Sequence, residues 1–351
     1  MDGLPFCIVI TFKWKNETIY ILCLLHNRGE NMTLVRLGYV AMSVLVKNCS
    51  PSQTMTYTQF EKIRDREAAI RKLERIAESN ITNCLRLLKH NLAFDIQFFR
   101  LSSRLIPLAN HKELQDWDYL SPINENLLEL GQFATENKMR IDFHPDHFVV
   151  LNSPKSDVLH ASIETLNLHL HLLQRMGIEP IHRCVLHVGG SYKNKEKALE
   201  QYIKNWDKIP SEIQKMIILE NDDKSFNMED TLYLSEQLNV PVVFDYHHHL
   251  SNHDDNNWGK HWDRVVRSWS QSTLPIKMHI SSPKDDKRFR DHADYIDVEM
   301  FLTFLRSIKG SVPQIDCMIE AKKKDGALIQ LIEDLKKYPE ITLVDQASFT
   351  L

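Results

Sequence analysis

Short apolar runs that end in polar, acidic or histidine residues recur along the chain from Arg36 onward. Runs of this length predict β-strands buried on both faces, as in a parallel sheet, because such strands read as nearly continuous apolar stretches. Eight runs have this character, and they span residues 36–43, 96–103, 140–145, 183–190, 216–222, 241–248, 276–282 and 316–322.

Segments with helical periodicity separate these runs. Between Ala69 and Leu92, apolar residues recur at spacings of three and four positions, which marks one buried face of a helix. The predicted helices span residues 58–92, 124–137, 156–176, 195–206, 228–238, 258–270, 297–308 and 327–338.

The alternation of strands and helices predicts an α/β fold, a (β/α)8 TIM barrel in a single domain. We assign residues 32–338 to this barrel and residues 339–351 to a C-terminal tail, and a barrel of about 250 residues with insertions fits that length. A doubly wound open sheet is the competing fold. It is disfavoured because no glycine-rich phosphate loop follows the first strand, and because ligand-type residues end strands throughout the chain.

Residues 1–31 precede the first predicted barrel strand and contain two short apolar runs. The runs are too short to span a bilayer, and no basic residue precedes the first of them, which disfavours a secretory signal. The segment either adds a strand or is an extension foreign to the natural protein. We favour the extension, because purine-only codons for Arg28-Gly29-Glu30 would form a ribosome-binding sequence just ahead of Met32. We therefore expect natural translation to start at Met32.

The charge balance and the cysteines restrict the chemistry. The formal net charge of -4 argues against a generally basic nucleic-acid coat, so any phosphate contact must come from a local patch or from bound cations. The 6 cysteines include no CxxC pair, which indicates buried, reduced thiols in a cytoplasmic protein. Histidine and carboxylate side chains must therefore supply any metal ligands.

Acidic and imidazole side chains end the predicted strands. In a TIM barrel the carboxyl ends of all the strands face one mouth, so residues distant in sequence meet there. The candidates at the strand ends are His144, His187, Glu220, Asp245, His279 and Glu320, and those in the following loops are His111, His248, His249 and His292. So many buried acids and imidazoles need cations to neutralise them, and they exceed the ligands of one zinc ion. The pattern predicts two or three divalent metal ions.

Sites with several metal ions suit displacement at phosphorus, which favours phosphodiester hydrolysis. A sugar isomerase also holds two metal ions in a barrel, so the pattern alone leaves that reaction open.

A series of short motifs runs along the chain, in the order LGY, FRLSSRLIPLANH, FHP, NSP, LHVGG, LEND, VVFDYHHH, KMHISSP, DHADYI and IEAK. Together they resemble the UV damage endonucleases, single-domain barrel enzymes related in fold to endonuclease IV and xylose isomerase. The resemblance covers the chain from Arg36 to about Lys324. It implies a DNA repair endonuclease that nicks the damaged strand of double-stranded DNA immediately 5′ to pyrimidine dimers, photoproducts and some abasic sites, leaving a 3′-hydroxyl and a 5′-phosphate. An abasic-site endonuclease resembling endonuclease IV and a metal-bound damage sensor that does not cut are the alternatives, and the sensor would show no nicking for a Glu220→Gln substitution to remove.

The resemblance also implies the cofactor and the residues that hold it. The cofactor would be up to three divalent ions, with Mn²⁺ preferred and Zn²⁺, Mg²⁺ or Co²⁺ as alternatives. The implied metal ligands are His111, His144, His187, Glu220, Asp245, His248, His279, His292 and Glu320. Catalytic roles fall on Lys277, Tyr39 and Glu220, and Lys277 matches a lysine that is carboxylated in some family members. We expect a cytoplasmic monomer that needs neither a membrane nor an obligate protein partner.

Strand alternation and the family resemblance favour different histidines of the HHH run as the partner of Asp245. In an unbroken strand Asp245 would share a face with His247 and His249 rather than with His248. The resemblance favours His248, which requires the chain to turn out of the strand at about Tyr246. The choice among the three histidines therefore depends on where the strand ends.

The expected lesion-binding residues differ from the common family pattern. His147 and Phe148 stand where family members commonly carry a glutamine and a tyrosine inserted into the duplex, and their planar rings suit the same wedging. Asp146 precedes them, where a carboxylate would lie close to phosphate. Tyr39 matches a tyrosine near the lesion, and Ser43 replaces an asparagine but retains a hydrogen-bonding group.

Overall fold

The computed structural model describes residues 32–255 and 257–351, together with the backbone of residues 8–14 and 17–23. The two earlier segments are antiparallel strands, β1 (Ile8–Trp14) and β2 (Glu17–Cys23), which form a sheet of their own. The rest of residues 1–31 lies outside the described residues. The expectation that this segment is foreign to the natural protein stays a prediction.

Eight parallel strands form a barrel. They are β3 (Leu34–Val40), β4 (Phe98–Arg100), β5 (Arg140–Asp142), β6 (Cys184–His187), β7 (Ile217–Glu220), β8 (Val242–Asp245), β9 (Ile276–Ile280) and β10 (Gln314–Ile319). Successive strands pair with one another, a bridge between Phe143 and Cys184 joins β5 to β6, and β10 pairs with β3 to close the ring. This closure confirms the predicted TIM barrel.

Helices surround the strands. They are α1 (Tyr57–Glu61), α2 (Arg66–Ala93), α3 (Asn124–Glu136), α4 (Ser156–Arg175), α5 (Lys195–Trp206), α6 (Ser211–Met216), α7 (Met228–Leu238), α8 (Tyr246–Ser251), α9 (Gly259–Ser268), α10 (Val298–Ile308) and α11 (Lys324–Leu335). Short 3₁₀ turns lie at Lys112–Leu114, Ser121–Ile123 and Asp286–Arg288. Among the described residues, no helix has both the length and the apolar character needed to cross a bilayer.

The helices differ from the predicted ones in two respects. The single helix predicted over residues 58–92 is α1 followed by α2, because Asp65 is extended and its carboxylate accepts hydrogen bonds from the N–H groups of Glu67 and Ala68. The periodicity does not predict α6 or α8, because six residues are too few to show a helical repeat.

The last residues of the chain join the barrel sheet. Two short strands, β11 (Thr342–Leu343) and β12 (Ser348–Thr350), pair with each other, and β12 lies antiparallel to Leu34–Arg36 of β3. Because β4 pairs only with the carboxyl half of β3, β12 covers the edge that β4 leaves open. Phe349 of β12 is fully buried. The segment that the sequence assigns to a tail is thus part of the folded barrel.

Charged side chains fill the interior of the barrel below its mouth. Asp316 accepts hydrogen bonds from Nε of Arg36 at 2.8 Å and Nη1 of Arg140 at 2.9 Å. Asp142 accepts one from Nζ of Lys277 at 2.9 Å. Both acids and Lys277 are fully buried, so each charge is stable there only because an opposite charge lies against it.

We expect Phe349→Ala to lower the free energy of unfolding by about 3–5 kcal/mol, since it removes a fully buried ring and leaves a cavity beneath β3. The matched control is Phe148→Ala, which removes a ring that is 73% exposed and should change the stability by less than about 0.5 kcal/mol. Urea-induced unfolding measures both values. Equal losses in the two variants would contradict the packing described for β12.

Candidate metal centre

The strand register determines which side chains face the interior of the barrel. Residues paired across neighbouring strands lie on the same face of a sheet, and alternate residues of one strand do so as well. Lys277 and His279 therefore share the inner face of β9, and Asp245 of β8 pairs with His279. His187 of β6 pairs with Glu220 of β7 in the same way. The carboxyl ends of β6, β7, β8 and β9 therefore share one inner surface at the mouth of the barrel.

Glu220 lies at the centre of this surface. Nε2 of His144 is 2.8 Å from its Oε2, and Nδ1 of His279 is 2.7 Å from its Oε1. Nε2 of His187 lies 3.7 Å from Oε2. Burial disfavours the ionised carboxylate, but the surrounding imidazoles hold the pKa of Glu220 well below its usual value. Glu220 is therefore ionised, and the imidazole nitrogens of three histidines surround its carboxylate.

The short helix α8 decides which histidine joins the cluster. It begins at Tyr246, directly after Asp245 ends β8, so the alternation of the strand stops there. Oδ1 of Asp245 accepts a hydrogen bond from the N–H of His248 at 2.7 Å, which caps the helix. Nδ1 of His248 then lies 3.6 Å from Oδ2 of Asp245 and 3.7 Å from Oε1 of Glu220.

The other two histidines of the HHH run face different surroundings. Nε2 of His247 donates to the carbonyl of Phe289 at 2.6 Å. The ring of His249 packs 5.5 Å from the ring of Phe244, on the side of the strand that faces the helices. The turn at Tyr246 therefore places His248, and neither neighbour, beside the acids.

Arg100 supplies a cation to the cluster. Its Nη2 lies 2.9 Å from Nε2 of His279 and 2.6 Å from Oε1 of Glu320. Burial opposes the ionisation of Glu320, but Arg100 holds the pKa of that carboxyl well below its usual value. Burial lowers the pKa of His279 to about 4, so its imidazole is neutral at neutral pH and has a lone pair for a metal ion.

The residues present fit divalent metal ions. Ligand atoms lie within 4.8 Å of one another in three groups, His144 with His187 and Glu220, Glu220 with His279 and Glu320, and Glu220 with Asp245 and His248. In the part of the chain that the structure describes, Oδ2 of Asp245 and Nδ1 of His187 are buried without a hydrogen-bond partner. An ion would satisfy such atoms, and the mixed imidazole and carboxylate set suits Mn²⁺ or Zn²⁺.

The balance of charge at Asp245 also favours a cation. Burial raises the pKa of Asp245 to about 6, because the carboxylate is fully enclosed. Burial opposes protonation of His248, but Asp245 and Glu220 raise its pKa to about 9. The acids thus draw a proton onto His248, and a divalent ion would replace that proton as the neutralising charge.

Two of the expected ligands lie apart from these groups. Nδ1 of His292 donates to the carbonyl of Glu320 at 2.6 Å, which places His292 at the rim beside that acid. His111 stacks on the ring of Tyr57 with centroids 4.0 Å apart, and its Nδ1 accepts from the N–H of Glu113. The structure therefore brings His292 to the edge of the cluster and leaves His111 outside it, and the ligand role of His111 stays a prediction.

Lys277 lies below the cluster, inside the barrel. It is fully buried, it donates to Asp142, and its Nζ is 5.4 Å from the centroid of the Phe98 ring. Burial lowers the pKa of Lys277 to about 8. A larger neutral fraction of the amine favours carboxylation, since the neutral form is the nucleophile. The carboxylation itself stays a prediction.

Tyr39 and Ser43 make structural contacts. Tyr39 pairs in register with Ile319 rather than with an inward-facing residue, and its hydroxyl donates to Oδ1 of Asn91 on α2 at 2.7 Å. It therefore points away from the barrel interior. The hydroxyl of Ser43 donates to Asp325 on α11 and ties down the loop after β3. The roles of both residues at a lesion stay predictions.

The loop after His144 exposes the expected wedge. The ring of Phe148 is 73% exposed and lies 4.2 Å from the ring of His147, centroid to centroid. Oδ2 of Asp146 accepts from Nη2 of Arg104 at 2.9 Å. The sequence predicts that the negative charge of Asp146 would lie close to the DNA phosphates. Arg104 neutralises that charge, so the carboxylate would repel the phosphates less.

A cavity of about 560 Å³ opens between this loop and the cluster, and its walls include His147, His187, Tyr192, Asp222 and His248. Gly189 shapes one wall, with φ of +118°, and a Cβ atom there would lie 2.5 Å from Oδ1 of Asn152. That oxygen accepts the N–H of Gly190 at 3.1 Å. Asn152 of the NSP motif thus contacts Gly190 of the LHVGG motif. The contact requires glycine at position 189, because any side chain there would clash with Asn152.

Sequence reasoning missed Arg100 and Asp142 as parts of the site. Arg100 ends β4 inside an otherwise apolar run, and Asp142 ends β5 in the same way. A polar residue at the end of an apolar run is also the feature that identified the acids and histidines at the other strand ends. If arginines and all aspartates at such positions had been considered, Arg100 and Asp142 would have been found.

Comparison with known proteins identifies the family. The model of the UV-endonuclease UvdE family matches residues 35–350. The chain belongs to this family. The UV DNA damage endonuclease of Halalkalibacterium halodurans is 54% identical over 318 residues, which cover 90% of this chain and 98% of that relative. The Bacillus cereus protein of the same name is 38% identical over 302 residues, with 86% and 95% covered.

A solved structure extends the comparison. The crystal structure of SacUVDE aligns with a TM-score of 0.76 and 32% sequence identity, and the alignment covers 86% of this chain and 98% of that chain. The family resemblance seen in the motifs is thus confirmed, and so is the barrel. Membership of the UV-endonuclease UvdE family makes the chain an endonuclease.

We expect Glu220→Gln to weaken binding of Mn²⁺ by more than about 100-fold, because Glu220 belongs to all three ligand groups and the loss of outer-shell partners alone costs 10- to 100-fold. Glu212→Gln, on the exposed surface of α6, is the matched control and should bind as the parent does. Isothermal titration calorimetry with metal-free protein measures the Mn²⁺ affinity of each variant. Unchanged affinity in Glu220→Gln would contradict a centre built on this carboxylate.

Proposed function

We propose that this protein nicks UV-damaged double-stranded DNA immediately 5′ to pyrimidine dimers, photoproducts and some abasic sites, leaving a 3′-hydroxyl and a 5′-phosphate. One observation carries the proposal: three sets of metal-ligand atoms share Glu220 at the mouth of a barrel of the UV-endonuclease UvdE family. Two or three divalent ions, Mn²⁺ by preference, would be held by His144, His187, Glu220, Asp245, His248, His279 and Glu320, with His292 at the rim.

The chain's own residues prepare the site for a phosphodiester. When bound, divalent ions polarise the phosphate and favour ionisation of water. Arg100 holds Glu320 and His279 in place from the side. Below the ligands, Lys277 and Asp142 form a buried ion pair. This ion pair fixes the side chains on which the ligands pack. Burial of Glu220 and His279 excludes bulk water, which strengthens every electrostatic contact there.

Damage recognition would use the exposed loop and the cavity beside it. Phe148 and His147 present adjacent rings to the outside, a pair that can enter a base step. A lesion weakens stacking, so separating its bases costs less than separating intact ones. The cavity of about 560 Å³ would receive a nucleotide displaced in this way, close to His187 and His248.

We extend the proposal to a monomer that acts in the cytoplasm. The four described cysteines, at positions 49, 84, 184 and 317, are buried and free, which suits a reducing compartment. Burial raises the pKa of Cys84 and Cys184, so neither thiol is reactive at neutral pH.

Purified protein with Mn²⁺ should convert irradiated supercoiled plasmid to the nicked form and leave unirradiated plasmid intact. Glu220→Gln should lose at least about 100-fold of the nicking, following the loss of metal affinity, and should retain DNA binding. Agarose gels and a filter-binding assay measure the two activities, with Glu212→Gln as the control.

Each alternative gives a different result in this assay. Equal cutting of irradiated and intact plasmid would contradict the specificity for damage. Cutting confined to an oligonucleotide with an abasic analogue would indicate an abasic-site endonuclease instead. Binding of irradiated DNA without any nicking by the metal-loaded parent would indicate a sensor.

We expect Phe148→Ala to reduce nicking of irradiated DNA by roughly 5- to 150-fold, since stacking of an aromatic ring on a base is worth about 1–3 kcal/mol. The defect should appear mainly in KM, because Phe148 belongs to none of the ligand groups. Phe148→Trp keeps a planar ring and should restore most of the activity. Full activity of Phe148→Ala on irradiated DNA would exclude the wedge.

A further inference from the structure

The connection between β6 and α5 presents an aromatic side chain, Tyr192, at the mouth of the barrel. His187 ends β6, and α5 begins at Lys195. Tyr192 lies between them and is 48% exposed. It lines the cavity of about 560 Å³ to which His187 and His248 also contribute. A large ring is thus open to solvent beside two of the candidate metal ligands.

The backbone at Tyr192 adopts a conformation that a bulky side chain disfavours. The N–H of Asn194 donates to the carbonyl of Ser191 at 2.9 Å, which closes a tight turn. The two central residues of this turn, Tyr192 and Lys193, have φ of +47° and +65°. Positive φ at both central positions is the pattern of a type I′ turn, in which Gly, Asn and Asp predominate. The tyrosine therefore strains the turn, and backbone strain of this kind is concentrated at functional sites.

Gly190 supports one side of the Tyr192 ring. A Cβ atom on Gly190 would lie 3.0 Å from Cε2 of Tyr192 and 3.1 Å from its Cζ, so the ring packs directly against the glycine backbone. The side chain of Asn152 holds Gly190 in turn, because its amide donates to the carbonyl of Gly190 at 2.8 Å and accepts the N–H of that residue at 3.1 Å. The ring is therefore fixed on one side, and its remaining surface is open to the cavity.

The cavity beside the ring suits a nucleobase. Its volume lies within the range of about 300–1,000 Å³ that small-ligand sites occupy. Three apolar side chains contribute to its walls, Val149, Val150 and Leu186. The acids in its lining already have partners, since Asp222 accepts the N–H of Phe226 at 3.0 Å and Oδ2 of Asp223 lies 4.0 Å from Nε of Arg290. These partners reduce the repulsion between the acids and the phosphate of an entering nucleotide.

We propose that Tyr192 is a base-stacking residue that contributes to the affinity for damaged DNA. Its ring stacks on a base of the lesion that has left the duplex, while Phe148 and His147 enter the gap that this base leaves. Stacking requires one open face of a ring and accepts any base, because every base has a π-face. The inference rests on the proposed nicking of damaged DNA, and it names a residue that recognises the substrate.

Tyr192→Asn removes the ring and introduces a residue that the turn favours. We expect its KM for a duplex with one thymine dimer to rise by roughly 5- to 150-fold, the effect of losing one base–aromatic stack. The value of kcat should change little, because Tyr192 belongs to none of the ligand groups. The midpoint of urea-induced unfolding should equal or exceed that of the parent, because asparagine tolerates positive φ better than tyrosine does.

Two further variants control this measurement. Tyr192→Trp keeps a planar ring and should retain the KM of the parent. Tyr233→Ala removes a ring that is 41% exposed on α7, outside the cavity lining, and should leave KM unchanged. An unchanged KM in Tyr192→Asn would overturn the proposal. A lower urea midpoint in that variant would overturn it as well, because the ring would then support the fold instead of binding the substrate.

Fluorescence measures the stacking without any nicking. Tyr192→Trp is combined with Glu220→Gln, and its emission is compared with that of Glu220→Gln alone. The emission that the added indole contributes should be quenched by a saturating duplex with a thymine dimer and unchanged by the intact duplex. Equal emission with the two duplexes would overturn the stacking role and leave nicking by the parent intact. Quenching without any nicking by the metal-loaded parent would support the stacking role and overturn the proposed function.

Discussion

The neutralisation of charge inside a closed ring of strands is the constraint on which the structure depends. The barrel buries acids at two levels, and a buried carboxylate is tolerated only when a cation or several hydrogen-bond donors lie against it. Below the mouth, Asp316 and Asp142 pair with arginine and lysine side chains of the chain itself. Three cationic side chains, Arg36, Arg140 and Lys277, neutralise these two acids, so this layer needs no added cation.

The carboxyl ends of the strands balance their charges differently. Glu220, Asp245 and Glu320 converge there with Arg100 as the guanidinium against them, and the remaining neighbours are mostly imidazoles, of which His279 and His144 lose basicity through burial. The acids therefore exceed the permanent cations close to them. This difference between two layers of one barrel makes the mouth suitable for divalent ions, and it follows from which residue types lie at each layer.

Much of this arrangement could be predicted from the sequence. The apolar runs located all eight barrel strands, and the acids and histidines at their ends gave most of the cluster. The alternation of the strand could not predict the contribution of α8, because that depends on Asp245 capping the helix that carries His248, and only the family resemblance favoured His248. Nor does a sequence show that Tyr39 faces α2, since the direction of a strand residue depends on a register that only the partner strands establish.

The pairing of β12 with β3 also places Leu351 beside the start of the first barrel strand. The N–H of Thr33 donates to the carbonyl of Leu351 at 3.1 Å, so the first barrel strand begins where the last residue lies. Both are at the amino end of the strands, opposite the mouth that holds the metal ligands. A fusion partner or a surface tether attached after Leu351 would therefore project from the base of the barrel and leave the approach of a long, rigid duplex unobstructed.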